Sequence, residues 1–212
     1  FRWLPDRQYA SVLGFGSAYG SEFRPIAHRI ERLVIVDPSD TFVRSDVFGI
    51  PVAYVKPTVE GVLPFRDNAF DLITCLGVLH HIPNVSCVLQ ELYRCLQPGG
   101  YALIREPVIS MGDWTRPRPG LTKRERGIPL PLFREMIDQT GYWVMRESAC
   151  MFPLSRKFWS LTGISPYSSR LGTIFDQVLS KLTQWNLRYH ATSFWGKLRP
   201  SDVFFVLTKR KQ

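Results

Sequence analysis

Three clusters in the sequence have residue types and spacing suited to chemistry. The first is the run Gly14-Phe15-Gly16-Ser17-Ala18-Tyr19-Gly20. Glycines let a backbone turn tightly and approach a ligand closely. Where such a turn opens a helix, its free amides favour anionic groups. The second is Asp37, which lies 17 residues beyond Gly20 and could accept hydrogen bonds from ribose hydroxyls. An Asp after a strand is often only a helix cap, and a glycine turn alone is common; the two at this spacing form a stronger signal. The third is His80-His81. Imidazoles titrate near neutrality and can take a proton, although the same pair could simply shape a turn.

These clusters need a frame, and the first half of the chain supplies its pattern. Short apolar runs alternate with helical periodicity, as in βαβ units. Strands are expected at residues 11–15, 33–36, 51–55, 70–76 and 101–105, which puts the glycine turn and Asp37 directly after the first two. A helix is expected at 21–30. Another is expected at 85–96, where Val85, Val88, Leu89, Leu92, Cys95 and Leu96 share one face and Pro98-Gly99-Gly100 ends the element. Further on, a helix at 130–139, a strand at 142–151, an amphipathic helix from Leu171 to Trp185 and a last strand at 203–208 complete the reading. The expected fold class is α/β, with a mostly parallel seven-stranded sheet and helices on both faces. One domain covers 1–212, with a loop insert at 107–129 and a helical insert at 153–200.

Composition narrows the class. The chain has 212 residues and is 45% hydrophobic and 21% charged, as in ordinary globular domains. No apolar run reaches the roughly 18 residues of a transmembrane helix. Cys75, Cys87, Cys95 and Cys150 form no CxxC pair and read as reduced thiols, which points to the cytoplasm; no metal site is expected. The net charge of +9 favours anionic partners, among them phosphate-bearing small molecules, nucleic acid and acidic membrane surfaces. The first residue is Phe1 rather than methionine. That points to further residues before it, and a targeting segment could lie among them.

The stretch Leu63-Pro64-Phe65-Arg66-Asp67-Asn68-Ala69-Phe70-Asp71, followed by Leu79-His80-His81 and Leu96-Gln97-Pro98-Gly99-Gly100, resembles the corresponding block of class I methyltransferases. The resemblance covers about residues 11–106. It implies a Rossmann-like sheet and S-adenosyl-L-methionine as cofactor, with S-adenosyl-L-homocysteine as product. By the same resemblance, Phe15, Gly16, Ser17, Ala18 and Gly20 pack against the methionine part of the cofactor. Asp37 holds the ribose with Pro38 beside the adenine, Glu60 stands nearest to the place of an adenine-binding acid, and Cys75, Leu76 and Gly77 line the transfer site. The chain departs from the family pattern in having Gly14 where an acid is usual and Ala18 where a glycine is frequent.

Methyl transfer needs orientation above all, and a hydroxyl acceptor also benefits from a base. His80 is the expected catalytic residue. The acceptor is expected to meet His81, Arg105, Glu106, Trp114 and Arg116, because Arg105 and Glu106 stand at the carboxyl end of the fifth strand and the basic loop that holds Trp114 and Arg116 leaves from there. The loop resembles a segment of methyltransferases in bacterial cell-surface polysaccharide biosynthesis. That would imply a small-molecule or glycan acceptor, with an RNA acceptor or a non-catalytic binding role as alternatives. The aromatic residues of the 153–200 insert are expected to pack in the core. A lid or dimer surface and a peripheral membrane contact are the other readings of that insert.

Overall fold

A computed structural model describes residues 1–113, 116–118, 121 and 125–210. Trp114, Lys123 and Arg124 lie outside the described residues. Among the described residues eight strands form the sheet: β1 (Val12–Phe15), β2 (Leu33–Val36), β3 (Asp46–Val47), β4 (Ile50–Val55), β5 (Phe70–Leu76), β6 (Leu96–Pro107), β7 (Trp143–Cys150) and β8 (Asp202–Thr208). Their order is β3-β4-β2-β1-β5-β6-β8-β7. β1 runs parallel to both β2 and β5, and β2 runs parallel to β4. The class is the expected Rossmann-like α/β.

β1 and β2 read Val-Leu-Gly-Phe and Leu-Val-Ile-Val and are buried along their whole length. A continuous apolar run of this kind marks a strand covered on both faces. The eighth strand, unforeseen in the sequence, is β3, paired antiparallel with β4. Phe48 and Gly49 join them with φ of 56° and 82°, as a two-residue hairpin turn requires. A Phe at positive φ is not a turn signal, which hid the hairpin.

The helix expected at 21–30 is present but is a 3-10 helix, Ser21–Arg29. Phe23 and Ile26, three residues apart, are its buried positions, in keeping with three residues per turn. α1 (Val85–Cys95) buries Val88, Leu89, Leu92 and Cys95, and the Asn84 side chain caps it by accepting from the Cys87 amide. α2 (Leu130–Thr140) follows, then α3 (Pro153–Thr162), α4 (Arg170–Thr183) and the short α5 (Phe194–Lys197).

The chain divides into two compact units. One comprises Phe1–Ile104, Arg134–Arg146 and Phe205–Gln212, and the other comprises Arg105–Phe133 and Glu147–Phe204. Within the first, α1 fastens the segment that precedes β5. Arg94 donates to Glu91, to Asp67 and to the carbonyls of Leu63 and Phe65, while Glu91 accepts from the Leu63 amide. The Leu-Pro-Phe-x-Asp motif is thus a clamp site for α1. Arg94 holds the Glu91 carboxyl below its ordinary range. Within the second unit, the buried Asp176 carboxylate accepts from the amides of Met151 and Phe152 and so fixes the position of α4.

The Arg94 contacts are charge-assisted and only partly exposed, and bonds of this kind are worth about 1.5–3 kcal/mol each when a buried partner is stranded. Arg94→Ala should therefore lower unfolding stability by about 2–3 kcal/mol in urea titration, whereas Arg66→Ala, outside this network, should change it by less than about 0.5 kcal/mol.

Candidate functional site

The strand order places β1 beside β2 on one side and β5 on the other. That is the switch point of an open α/β sheet, where the carboxyl ends of adjacent strands leave a crevice. A cavity of about 590 Å³ lies there, a size usual for small-ligand sites. Phe15 and Gly16 line it after β1, Asp37 and Pro38 after β2, residues 57–63 after β4, and Gly77 and Val78 after β5.

Asp37 organises this cavity. One carboxylate oxygen accepts from the Ala18 amide at 3.1 Å and the other from the Ser39 amide at 3.0 Å. Each oxygen has lone-pair capacity beyond one bond, and the side chain, 8% exposed, faces the cavity. The Ala18 carbonyl in turn accepts from the Tyr54 hydroxyl. Ala18 is therefore held at both ends, which explains how it keeps a φ of 47°, a conformation unfavourable for any residue with a Cβ. The alanine adopts the shape that a glycine would adopt there.

The other departure has a steric cause. A Cβ on Gly14 would come within 2.5 Å of the Ser17 hydroxyl. Ser17 folds back over β1 towards Thr74, its hydroxyl 3.5 Å from that of Thr74, in the strand position opposite Gly14. The Glu22 carboxyl reaches the same two hydroxyls. Burial raises its pKa, and the hydrogen bonds from Ser17 and Thr74 oppose the rise. An acid is thus present at this end of β1, brought by the 3-10 helix rather than by position 14, and only a folded chain could reveal it.

Of the residues singled out in the sequence, Phe15, Gly16, Ala18, Asp37, Pro38, Glu60 and His81 line the cavity. Gly77, named for the transfer site, also does. Ser17 lies behind the turn. Gly20 sits at the start of the 3-10 helix with φ of 67°. Cys75 is fully buried within β5, and Leu76 ends that strand half-buried. His80 packs against His81, with ring centroids 4.0 Å apart, and it is His81 whose side chain is exposed at the cavity. In the second unit Arg105 pairs with Asp202 at 3.6 Å and Glu106 is fully buried. Arg116 is exposed and pairs with Asp113. Trp114 lies outside the described residues. The sequence reading missed Phe42 and most of the wall at 57–63, whose mixture of Pro, Thr, Val and Gly carries no periodic signal.

The steric account of Gly14 can be tested directly. Gly14→Ala should cost about 1–3 kcal/mol, as overpacked sites do. Adding Ser17→Gly should return at least half of that loss in chemical denaturation, because the two nearest atoms in conflict, the Ser17 Oγ and Cβ, are then gone and only the Phe23 ring, at 3.0 Å, stays close.

Comparison with known proteins bears on the family and the fold. Residues 13–104 match the methyltransferase domain family. A ubiquinone biosynthesis O-methyltransferase of Photorhabdus laumondii is 38% identical over 53 residues, which are 25% of this chain and 22% of that relative. The chain therefore matches only about a fifth of the length of such relatives. Among solved structures, an S-adenosylmethionine-dependent methyltransferase from Mesorhizobium loti superposes with a TM-score of 0.63 at 13% identity, covering 98% of this chain and 94% of that one. A phosphoethanolamine N-methyltransferase of Haemonchus contortus, solved with S-adenosyl-L-methionine, gives 0.63 at 18% identity over 99% and 51%. Residues 13–104 thus match the methyltransferase domain family, and over nearly its whole length the chain has the fold of S-adenosylmethionine-dependent methyltransferases.

Proposed function

We propose that the protein transfers a methyl group from S-adenosylmethionine to a small-molecule or glycan acceptor that carries an anionic group. The observation that carries this reading is the Asp37 carboxylate, fixed by two backbone amides where it lines the switch-point cavity. The residues present fit the cofactor. The acid retains acceptor capacity for ribose hydroxyls, and Pro38, Val59 and Val62 give apolar walls for a base. Gly16 and Ala18 bring backbone close to the cavity.

In this reading Asp37 holds the ribose, Pro38 and the segment around Glu60 enclose the adenine, and Phe15, Gly16 and Ala18 contact the methionine part. When bound, S-adenosylmethionine supplies an electrophilic methyl group on a sulfonium. The chain's own task is orientation and exclusion of water. His81 is the group best placed to take a proton from a hydroxyl acceptor, since it lines the cavity and is exposed there; in this role it replaces its neighbour His80. Of the similar proteins, one is named for ubiquinone biosynthesis and one for the small molecule phosphoethanolamine. The net charge of +9 supports an anionic acceptor.

Isothermal titration with S-adenosylmethionine and S-adenosylhomocysteine tests the reading. The protein should bind both. Asp37→Asn should weaken both by about 10- to 100-fold, the effect of losing a charged hydrogen-bond acceptor, while thermal unfolding confirms that the variant is folded. Failure of the folded protein to bind either ligand would overturn the proposal.

A further inference from the structure

The second unit carries two helices whose faces are reversed relative to those of a soluble protein. On α4, Leu171, Ile174, Phe175, Val178 and Leu182 form a stripe at helical spacing, and every one of them is exposed, Leu171 by 80%. The buried positions of the same helix are polar, Asp176 and Ser180. α3 repeats the arrangement. Leu154, Phe158 and Leu161 are exposed one turn apart, with Trp159 beside them, while Ser155 is buried. Trp185, Phe194 and Trp195 extend the apolar surface, with exposures of 71–79%. The expectation that the aromatic residues of this insert form core is therefore corrected: Tyr167 and Tyr189 are half-buried, and the others named here face solvent. The unit can present this face because its interior is held by polar anchors instead. Asp176 binds the Met151 and Phe152 amides, and the Asn186 amide donates to the carbonyls of Trp195 and Leu198.

Charge identifies what covers such a face. Between residues 153 and 200 the sequence holds seven lysines and arginines and a single acid, Asp176, which is buried. Lys157, Arg170, Lys181, Arg188 and Lys197 are exposed. A second copy of this face would bring like charges together around the apolar stripe, which disfavours a symmetric dimer. An RNA strand would match the charge but not a stripe of Leu, Ile and Val. A bilayer with anionic headgroups matches both, because apolar and aromatic side chains enter the acyl boundary while lysine and arginine meet the phosphates. Among the described residues, no helix is long and apolar enough to cross a membrane, so contact is in the plane of the interface.

We propose that the α3–α4 face of the second unit, continued by Trp185 and the Phe194-Trp195 pair, is a docking surface for an anionic lipid bilayer. The proposal stands whether or not the first unit transfers methyl groups.

Vesicle co-sedimentation tests it, with vesicles of phosphatidylcholine alone and of phosphatidylcholine containing a third of phosphatidylglycerol. The 212-residue chain should sediment with the anionic vesicles, bind the neutral ones far more weakly, and show a blue shift of tryptophan fluorescence on binding. Lys157→Glu/Arg170→Glu/Lys181→Glu should weaken binding on the order of a hundredfold, because each basic residue near an anionic surface contributes several-fold. Phe158→Ser/Phe175→Ser/Trp195→Ser should abolish the blue shift. Circular dichroism melting would establish that both triple variants fold, and exposed sites tolerate such changes. Absence of binding to anionic vesicles by the folded protein would overturn the proposal. So would equal binding by the folded charge variant, or a dimer in light scattering that the serine variant dissolves.

Discussion

The cavity depends on one carboxylate between two turns. Asp37 follows β2, and its oxygens take the amides of Ala18, after β1, and of Ser39, two residues on. Without this acceptor, the loops after two adjacent parallel strands would leave two part-buried amides without this partner, at a cost of up to about 1 kcal/mol each. With it, the two strand ends become a rigid floor. Ala18 is held against its conformational preference, Tyr54 closes on the Ala18 carbonyl, and this side of the cavity takes its shape. The same acid that builds the floor keeps acceptor capacity towards the cavity, so structure and ligand recognition share one side chain.

Around this floor the remaining parts have separate duties. The Arg94–Glu91 pair on α1 anchors Leu63, Phe65 and Asp67 and so fixes the base of the 57–63 wall. The second unit uses another buried acid, Asp176, for a structural purpose, and leaves its apolar side chains outside. Residues 153–200 carry seven lysines and arginines against one acid, so a large part of the net charge of +9 comes from this segment, and five of these cations are exposed.

Much of the fold and floor was legible in the sequence because backbone constraints leave strong marks. Apolar runs gave β1, β2 and β5, the 3.6-residue period gave α1, and the spacing of Gly20 and Asp37 placed an acid opposite the glycine turn. What escaped depended on tertiary contact. The hairpin β3–β4 rests on a Phe in the left-handed region. The Glu22 acid reaches Ser17 and Thr74 only once the 3-10 helix is in place. His81 rather than His80 faces the cavity because of the rotation of one short turn. The insert misled for a clear reason: its helical stripe is real, but periodicity tells which residues share a face, not whether that face looks inward.

The most direct test of the central claim is a crystal structure of the protein with S-adenosylhomocysteine. The account predicts the ribose hydroxyls within hydrogen-bond distance of the Asp37 carboxylate, the adenine between Pro38 and the 57–63 wall, and the thioether towards Gly77 and His81. A nucleoside bound elsewhere, or bound in this cavity with Asp37 making no contact to the ribose, would contradict it.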